Sequence, residues 1–315
     1  MSVIAGASAA ACFGVADFFA AGVSRSEGWR RTLLGAQTMS LPFLAIFIWI
    51  YEGWEPAIWA ATWATTWVWV LGFGAAHLLG SVALYRGLEV GIVSVVSPLA
   101  GTFGAVTAVL AVASGATMTS VLALALASVV AGSMLAARST RDQERGEAPV
   151  SAVRGVGESV HHRAQWVRGA GWGVLSALAL GISFFGLDVL GTRGAPIALT
   201  VGSYRLITAV GLGVGSWGRG GASRDQNAHA DLPRRWRSLA RWTFLGVLDS
   251  GGMLVYAWGC ARGHVAVVAV VASLFPALTV SLAQWRMGER LSRWQWTGLA
   301  WMLAGLCAVA WLHGR

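Results

Sequence analysis

The sequence predicts an all-α integral membrane protein with ten transmembrane helices, arranged as two inverted five-helix repeats. Three observations predict this fold. First, the chain of 315 residues is 56% hydrophobic and only 12% charged, whereas about a quarter of the residues in soluble domains are charged. Second, apolar segments of about 20 residues, the length that crosses the hydrocarbon core, recur ten times. Third, glycines recur at matching places in the two halves, which indicates an internal duplication.

The apolar segments fall into two groups of five. The first group lies in a repeat at residues 1–137 and the second in a repeat at 169–315, with a basic polar linker at 138–168 and a polar loop at 218–240. Both polar segments lack apolar periodicity, so we expect solvated loops there. The predicted spans are 3–22, 32–51, 66–86, 92–113, 118–137, 169–190, 196–217, 241–262, 264–285 and 294–312.

The first span resembles a signal peptide in its small residues. It lacks a basic n-region, however, and it contains Asp17. We therefore expect residues 3–22 to be the first transmembrane helix rather than a cleaved leader.

The duplication is visible in glycines that share two sequence offsets. Gly6, Gly14 and Gly35 recur at one constant offset as Gly173, Gly181 and Gly202; Gly74, Gly80, Gly87 and Gly91 recur at a second, slightly larger offset as Gly246, Gly252, Gly259 and Gly263, and Phe103 recurs at the second offset as Phe275. An odd number of helices per repeat places the two halves in opposite orientations. Inverted repeats of this kind are typical of secondary transporters, whose substrate site lies between the repeats near the membrane midplane.

The stretch from Gly259 to Gly305 carries a family resemblance. A glycine-bounded turn is followed by a helix through Phe275-Pro276, by the sequence Gly-Glu-Arg-Leu at 288–291 and by a helix through Ala304-Gly305. In these features the chain resembles the drug/metabolite transporter superfamily, in its ten-helix form with two EamA domains. The first repeat departs from the pattern, because Thr117 stands where the second repeat has Glu289. The resemblance implies a small-molecule carrier, often an exporter.

Three acidic residues, Asp17, Asp188 and Asp249, lie well inside predicted spans. A carboxylate in hydrocarbon costs a few kcal/mol, so such residues normally face the bundle interior or a wet cavity and often mark ion paths. A hydrogen bond to a neighbouring helix is the structural alternative. Counting residues from the helix ends predicts similar depths for Asp17 and Asp249, and a depth near the opposite surface for Asp188.

Arg205, in the seventh span, keeps its charge at every accessible pH and therefore needs a partner. Asp188 is the nearest acid by predicted depth. Two interpretations stay open. The pair is either a structural link between the sixth and seventh helices, or the guanidinium faces the cavity and binds a substrate carboxylate or phosphate.

His77 occupies the position in the third span that Asp249 occupies in the eighth. Each shares a helical face with glycines, and Tyr256 shares the face of Asp249. Such a face is either a close helix contact or a cavity wall, and a titratable residue at both related positions favours the wall.

Ser94 and Ser97 lie on one face of the fourth span with Pro98. Their hydroxyls either bind a polar solute or satisfy backbone groups that the proline frees. Pro98 and Pro276 are expected to bend the fourth and ninth helices at non-equivalent points.

These features predict a secondary transporter that moves a small polar, amino-acid-like metabolite out across the cytoplasmic membrane by alternating access. Proton coupling through Asp17, His77 and Asp249 is a further expectation. A polytopic membrane enzyme and a non-transporting scaffold or sensor are the alternatives. We expect no cofactor and no metal, since the sequence contains no surface cluster of His, Asp, Glu or Cys.

The formal charge of +9 is assigned to topology and lipid rather than to nucleic acid. The 23 basic residues lie almost entirely in loops between spans, where they attract anionic headgroups. Most of them, including Arg25, Arg86, Arg241 and Arg286, fall on the side of the odd-numbered loops. That side is predicted to be cytoplasmic, with both termini on the other side.

Overall fold

The computed structural model describes residues 1–53, 56–117, 119–136, 155–217, 232–262, 265–287, 293–294, 296–298, 300–301 and 304–305. These residues form helices joined by short turns, and eight of the helical segments are long and apolar enough to cross a membrane. Linker residues 138–154, loop residues 218–231, Glu289 and most of the predicted tenth span lie outside the described residues.

The described residues of the first half form α1 (Ser2–Glu27), α2 (Trp29–Phe47), α3 (Pro56–Val90), α4 (Val93–Gly101), α5 (Phe103–Ala113) and α6 (Ser120–Ala136). Gly28 makes the sharp turn between α1 and α2, with a φ of 88° and its N–H donating to the Ser24 carbonyl at 3.0 Å. A positive φ of this kind favours glycine, which has no Cβ to collide with the backbone. A short π-helix, Ile48–Glu52, extends α2 and stops at Gly53, whose φ is 74°.

The second half forms α7 (Gly155–Thr192), α8 (Ile197–Trp217), α9 (Leu232–Arg262), α10 (Val265–Ala272) and α11 (Phe275–Met287). The prediction of loops was wrong for residues 155–168 and 232–240, which belong to α7 and α9. Hydropathy marks only the part of a helix inside hydrocarbon. Arg, Gln and Glu are good helix formers, so a helix continues into the polar region without any apolar signal.

Two predicted spans are each broken into two helices. The fourth breaks at Thr102, between α4 and α5, and the ninth breaks at Ser273-Leu274, between α10 and α11. The second helix begins at Phe103 in one case and at Phe275 in the other, and these two residues are related by the second offset. The expectation of bends at non-equivalent points was therefore wrong.

Hydroxyl groups stabilise both breaks. The Thr102 Oγ1 donates to the Leu99 carbonyl and the Ser273 Oγ donates to the Ala269 carbonyl, each at 2.7 Å. These side chains satisfy carbonyls near the point where the helical ladder is interrupted. Pro276, at the second residue of α11, lies in the first turn, where a missing N–H costs nothing.

The helices pack in matching sets. Helix α1 packs against α9, α10 and α11, while α7 packs against α3, α4 and α5; α2 packs against α8. Individual contacts match as well. Thr107 donates to the Gly181 carbonyl at 2.9 Å, and Thr279 donates to the Gly14 carbonyl at 3.1 Å. The two threonines are related by the second offset, and the two glycines by the first.

Close helix contacts at glycines are also related by the two sequence offsets. Small residues allow helices to approach closely in a membrane. The matching pairs are Gly6 against Val271 and Gly173 against Leu99, Gly80 against Leu180 and Gly252 against Phe13, and Gly101 against Pro276 and Gly104 against Ser273. Corresponding positions in the two halves therefore make corresponding contacts.

Candidate functional site

A cavity of about 40 Å³ lies between α1, α3 and α9, near the middle of each helix. Its polar lining consists of Asp17 from α1, Asp249 from α9, and His77, Ser81 and Tyr85 from α3. A single water molecule needs at least about 10–15 Å³ of such volume, so the cavity is large enough to hold water.

Helical periodicity places the lining residues. His77, Ser81 and Leu84 follow one another at intervals of four and three residues on α3, and Asp249 and Met253 are four apart on α9, so each set shares a face. The neighbouring glycines, Gly80 and Gly252, do not line the cavity. A side chain at Gly80 or Gly252 would collide with Leu180 of α7 or Phe13 of α1, so these glycines are close helix contacts.

Arg205 of α8 contacts two residues that line the cavity, Asp249 and Met253, without lining the cavity itself. Its Nη1 donates to Asp249 Oδ2 at 2.6 Å and to Gln37 Oε1 at 3.2 Å, and its Nη2 lies 3.0 Å from Met253 Sδ. Only 1% of its surface is exposed, and it is not among the residues that line the cavity. The prediction that Arg205 pairs with Asp188 was therefore wrong, because depth alone ignores which helix faces α8.

The contacts of Arg205 with Asp249, Gln37 and Met253 leave part of the Asp249 carboxylate exposed to the cavity. Charge-assisted contacts to a guanidinium are strong and fix the orientation of the carboxylate. Asp249 keeps about a quarter of its side-chain surface exposed while it is paired. The cluster thus presents a carboxylate whose charge is already balanced.

His77 is held more loosely. Its Nε2 lies 3.4 Å from Ser81 Oγ, and its ring stacks on Tyr204 with centroids 5.6 Å apart and planes at 29°. Its Nδ1 is buried without a hydrogen-bond partner in the described part of the chain. The imidazole is therefore positioned by ring packing more than by hydrogen bonds.

Asp17 has no basic partner among the residues that the structure describes. It is 7% exposed, and its Oδ2 is buried with no hydrogen-bond partner there. Buried polar groups are normally hydrogen-bonded, so such an atom calls for an explanation in terms of water, ion or ligand.

Comparison with known proteins identifies the second half of the chain. Residues 167–311 match the EamA-like transporter family. This half is an EamA-like transporter domain. A solved structure described only as "Crystal structure of protein" is similar over 96% of this chain and 96% of its own, with a TM-score of 0.61 and 14% sequence identity. That likeness shows the fold alone. The comparison with curated proteins gave no match.

The family match confirms the resemblance for residues 167–311, and these residues form one side of the cavity. The EamA-like domain contributes Asp249, Met253 and the Arg205 that holds them, together with Leu180, Phe184 and Phe275. Asp17, His77 and Ser81 come from the half that precedes it. The site is therefore shared between the EamA-like domain and the first half.

Four phenylalanines close the apolar side of the cavity. Phe184 of the EamA-like domain contacts Phe103 and Phe13, with ring centroids 4.7 and 5.6 Å apart, and Phe275 lies 6.1 Å from Phe103. Sequence analysis missed this cluster. The recurrence of Phe103 as Phe275 was a usable signal, because both residues begin the second part of a broken helix.

The other predicted site residues lie outside the cavity lining. Ser94 and Ser97 are buried in α4, and Tyr256 of the EamA-like domain packs its ring against Phe184 at 4.7 Å. Asp188 is half-buried near the end of α7. Of the eight predicted site residues, only Asp17, His77 and Asp249 line the cavity, and their role in binding stays a prediction.

Sequence analysis also missed Ser81, Tyr85, Met253 and the hydrogen bond between Arg205 and Gln37. A signal existed for Gln37, because it occupies the position in the first half that Tyr204 occupies in the second, next to Arg205. The remaining three lie one or two helical turns from His77 or Asp249, on the same faces. In the described part of the chain no group of three His, Cys, Asp or Glu residues is placed to hold a metal ion.

Proposed function

We propose that this protein is a carrier that moves a small polar metabolite across the cytoplasmic membrane by alternating access, with Asp17, His77 and Asp249 along the substrate path. The observation that carries the proposal is the cavity that contains these three side chains, between helices of both halves. Transporters commonly place their sites at such a repeat interface. The EamA-like family of residues 167–311 favours a carrier over a membrane enzyme or scaffold.

The mechanism we propose uses ten helices in two inverted repeats of five. Support comes from the matched contacts, such as Thr107 with Gly181 and Thr279 with Gly14. Repeats related in this way can exchange conformations, so that the cavity opens to one side and then to the other. The helix breaks before Phe103 and Phe275, beside the cavity, are the hinge positions in this scheme.

Proton coupling is the second part of the proposal. Titratable residues inside membranes form the proton relays of pumps and transporters, and here three of them share one cavity. We propose that at least one changes protonation during the cycle and that the direction is export. The side with Arg25, Arg86, Arg241 and Arg286 would then face the cytoplasm.

The experiment has two stages. Cells expressing the protein are first screened for resistance to toxic amino-acid analogues, metabolites and drugs, which identifies a transported compound. Its transport, driven by a proton gradient, is then measured from acid to alkaline pH in Asp17→Asn, His77→Gln and Asp249→Asn. We expect at least one variant to lose the pH dependence of the wild type.

Ser250→Ala is the matched control, since Ser250 is buried next to Asp249 on α9 but does not line the cavity. It should keep wild-type rates. If all three cavity variants transport as the wild type does at every pH, proton coupling through this cavity is wrong, and exchange of substrates without protons replaces it.

A further inference from the structure

The chemistry of the cavity points to a substrate class. Its lining combines one unpaired carboxylate, Asp17, with five aromatic rings, those of Phe13, Tyr85, Phe103, Phe184 and Phe275. We propose that the cavity recognises a compact organic cation, an alkylammonium group, in preference to an amino-acid zwitterion or an anion. This inference rests on the proposed carrier function and narrows its substrate.

The first step of the argument is the balance of charge. Asp249 is already paired with Arg205 at 2.6 Å. Asp17 has no such partner, and no Arg or Lys occurs among the described residues that line the cavity. A cation in the cavity can therefore pair with the Asp17 carboxylate. An anion would find no Arg or Lys side chain in the described lining.

The second step concerns Arg205, the obvious group to bind a substrate carboxylate. Its Nη1 donates to Asp249 and Gln37, and its Nη2 is in contact with the Met253 sulfur. It is also almost wholly buried behind Asp249. The carboxylate of an amino acid in the cavity would therefore face His77 as the sole basic side chain in the described lining.

The third step concerns the rings. A cation near the face of an aromatic ring gains about 0.5–1 kcal/mol at exposed sites and about 2 kcal/mol where water is excluded, and quaternary ammonium groups are typically bound in aromatic cages. The ring cluster spans both halves, since Phe13 and Phe103 come from the first and Phe184 and Phe275 from the second. The cation would thus contact both repeats at once.

The volume limits the size of the group. The cavity volume of about 40 Å³ is well above the roughly 10–15 Å³ that one water molecule needs. In this conformation the cavity therefore admits an ammonium head with few carbons, and a longer substituent requires the halves to separate.

The test measures thermal unfolding of the full-length protein in detergent with three probes of similar size and different charge. Tetramethylammonium is the cation, glycine the zwitterion and acetate the anion, each compared with sodium chloride at equal concentration. The readout is the difference between wild type and Asp17→Asn, because salt and osmolyte effects act on both proteins alike. A ligand that binds only the folded protein raises the melting temperature. We expect tetramethylammonium alone to raise it in the wild type, by about 2 °C or more, and to lose the effect in Asp17→Asn.

Asp188→Asn is the matched control, since it removes an intramembrane carboxylate that does not line the cavity, and it should keep the shift. Phe184→Leu is a second arm that does not depend on the folding of Asp17→Asn. Loss of one ring face should weaken tetramethylammonium binding about 2- to 30-fold.

The cation assignment is overturned if glycine or acetate gives an equal shift that depends on Asp17, or if tetramethylammonium shifts wild type and Asp17→Asn alike. A wild type that responds to none of the three probes overturns it as well. Carrier function fails separately, in the resistance screen, which uses none of these probes.

Discussion

The two sides of the cavity have matching backbones and different chemistry. Asp249 and His77 stand at corresponding positions, as do Gln37 and Tyr204. On one side Asp249 meets Gln37 through Arg205, with contacts of 2.6 and 3.2 Å. On the other, His77 meets Tyr204 through a ring stack at 5.6 Å. The comparison teaches that the shared arrangement of helices fixes where the side chains meet, while the side chains themselves form one charged clamp, Arg205 with Asp249, and one ring stack, His77 with Tyr204.

The largest effect should come from breaking the charged clamp. Arg205→Met leaves Asp249 without its counter-ion, and removing one partner of a buried pair costs about 3–5 kcal/mol. The double variant Arg205→Met, Asp249→Leu removes both charges and should recover most of that loss. Denaturant unfolding in detergent measures both. A double variant as unstable as the single one would show that the clamp is not an isolated pair.

An intermediate loss of stability is expected when the close helix contacts at Gly80 and Gly252 are disrupted. A methyl group at Gly80 would meet both the side chain and the backbone nitrogen of Leu180, while one at Gly252 would meet the Phe13 ring and the Cys12 side chain. Since a ring can move and a backbone cannot, Gly80→Ala should cost more than Gly252→Ala, within about 1–3 kcal/mol.

Gly251→Ala is the control for both, because nothing lies within 4 Å of a methyl group at that position. Alanine is the better helix former by up to about 1 kcal/mol, so this variant should match or exceed the wild type in thermal stability. The reverse order, Gly252→Ala more damaging than Gly80→Ala, would contradict the assignment of the tighter contact.

The smallest effect should come from the ring stack. Tyr204→Leu removes the partner of His77 and should cost about 0.5–1.5 kcal/mol beyond its change in buried area. Tyr204→Phe keeps the ring and removes a hydroxyl that has no partner among the described residues, so its stability should be near that of the wild type. Equal losses in the two variants would show that the hydroxyl, and not the ring, matters.

Much of the fold could be predicted because hydropathy and glycine spacing are local signals. Eight of the ten predicted apolar segments correspond to helices long and apolar enough to cross a membrane, and the two glycine offsets predicted which positions of the two halves would correspond. The helix breaks at Thr102 and Ser273 could not be predicted, since proline was the only visible sign of a bend and it lies at different places in the two helices.

The site was predicted less completely, for a physical reason. Depth along a helix can be counted from the sequence, and it placed Asp17 and Asp249 at a common level. The direction in which a helix faces its neighbours depends on packing, so Arg205 was assigned to Asp188 instead of Asp249. The aromatic lining escaped notice because phenylalanines in an apolar span look like ordinary membrane residues.

The central claim, that the cavity is part of a path open to either side in turn, is tested most directly by accessibility of Ser81. Ser81→Cys is introduced into a chain in which Cys12, Cys260 and Cys307 are replaced by Ala, and a membrane-impermeant thiol reagent is applied from one side or the other. Val267→Cys, in a buried position outside the cavity, serves as the unlabelled control. The account predicts that Ser81→Cys reacts from both sides. Labelling from one side only, or from neither, would contradict it.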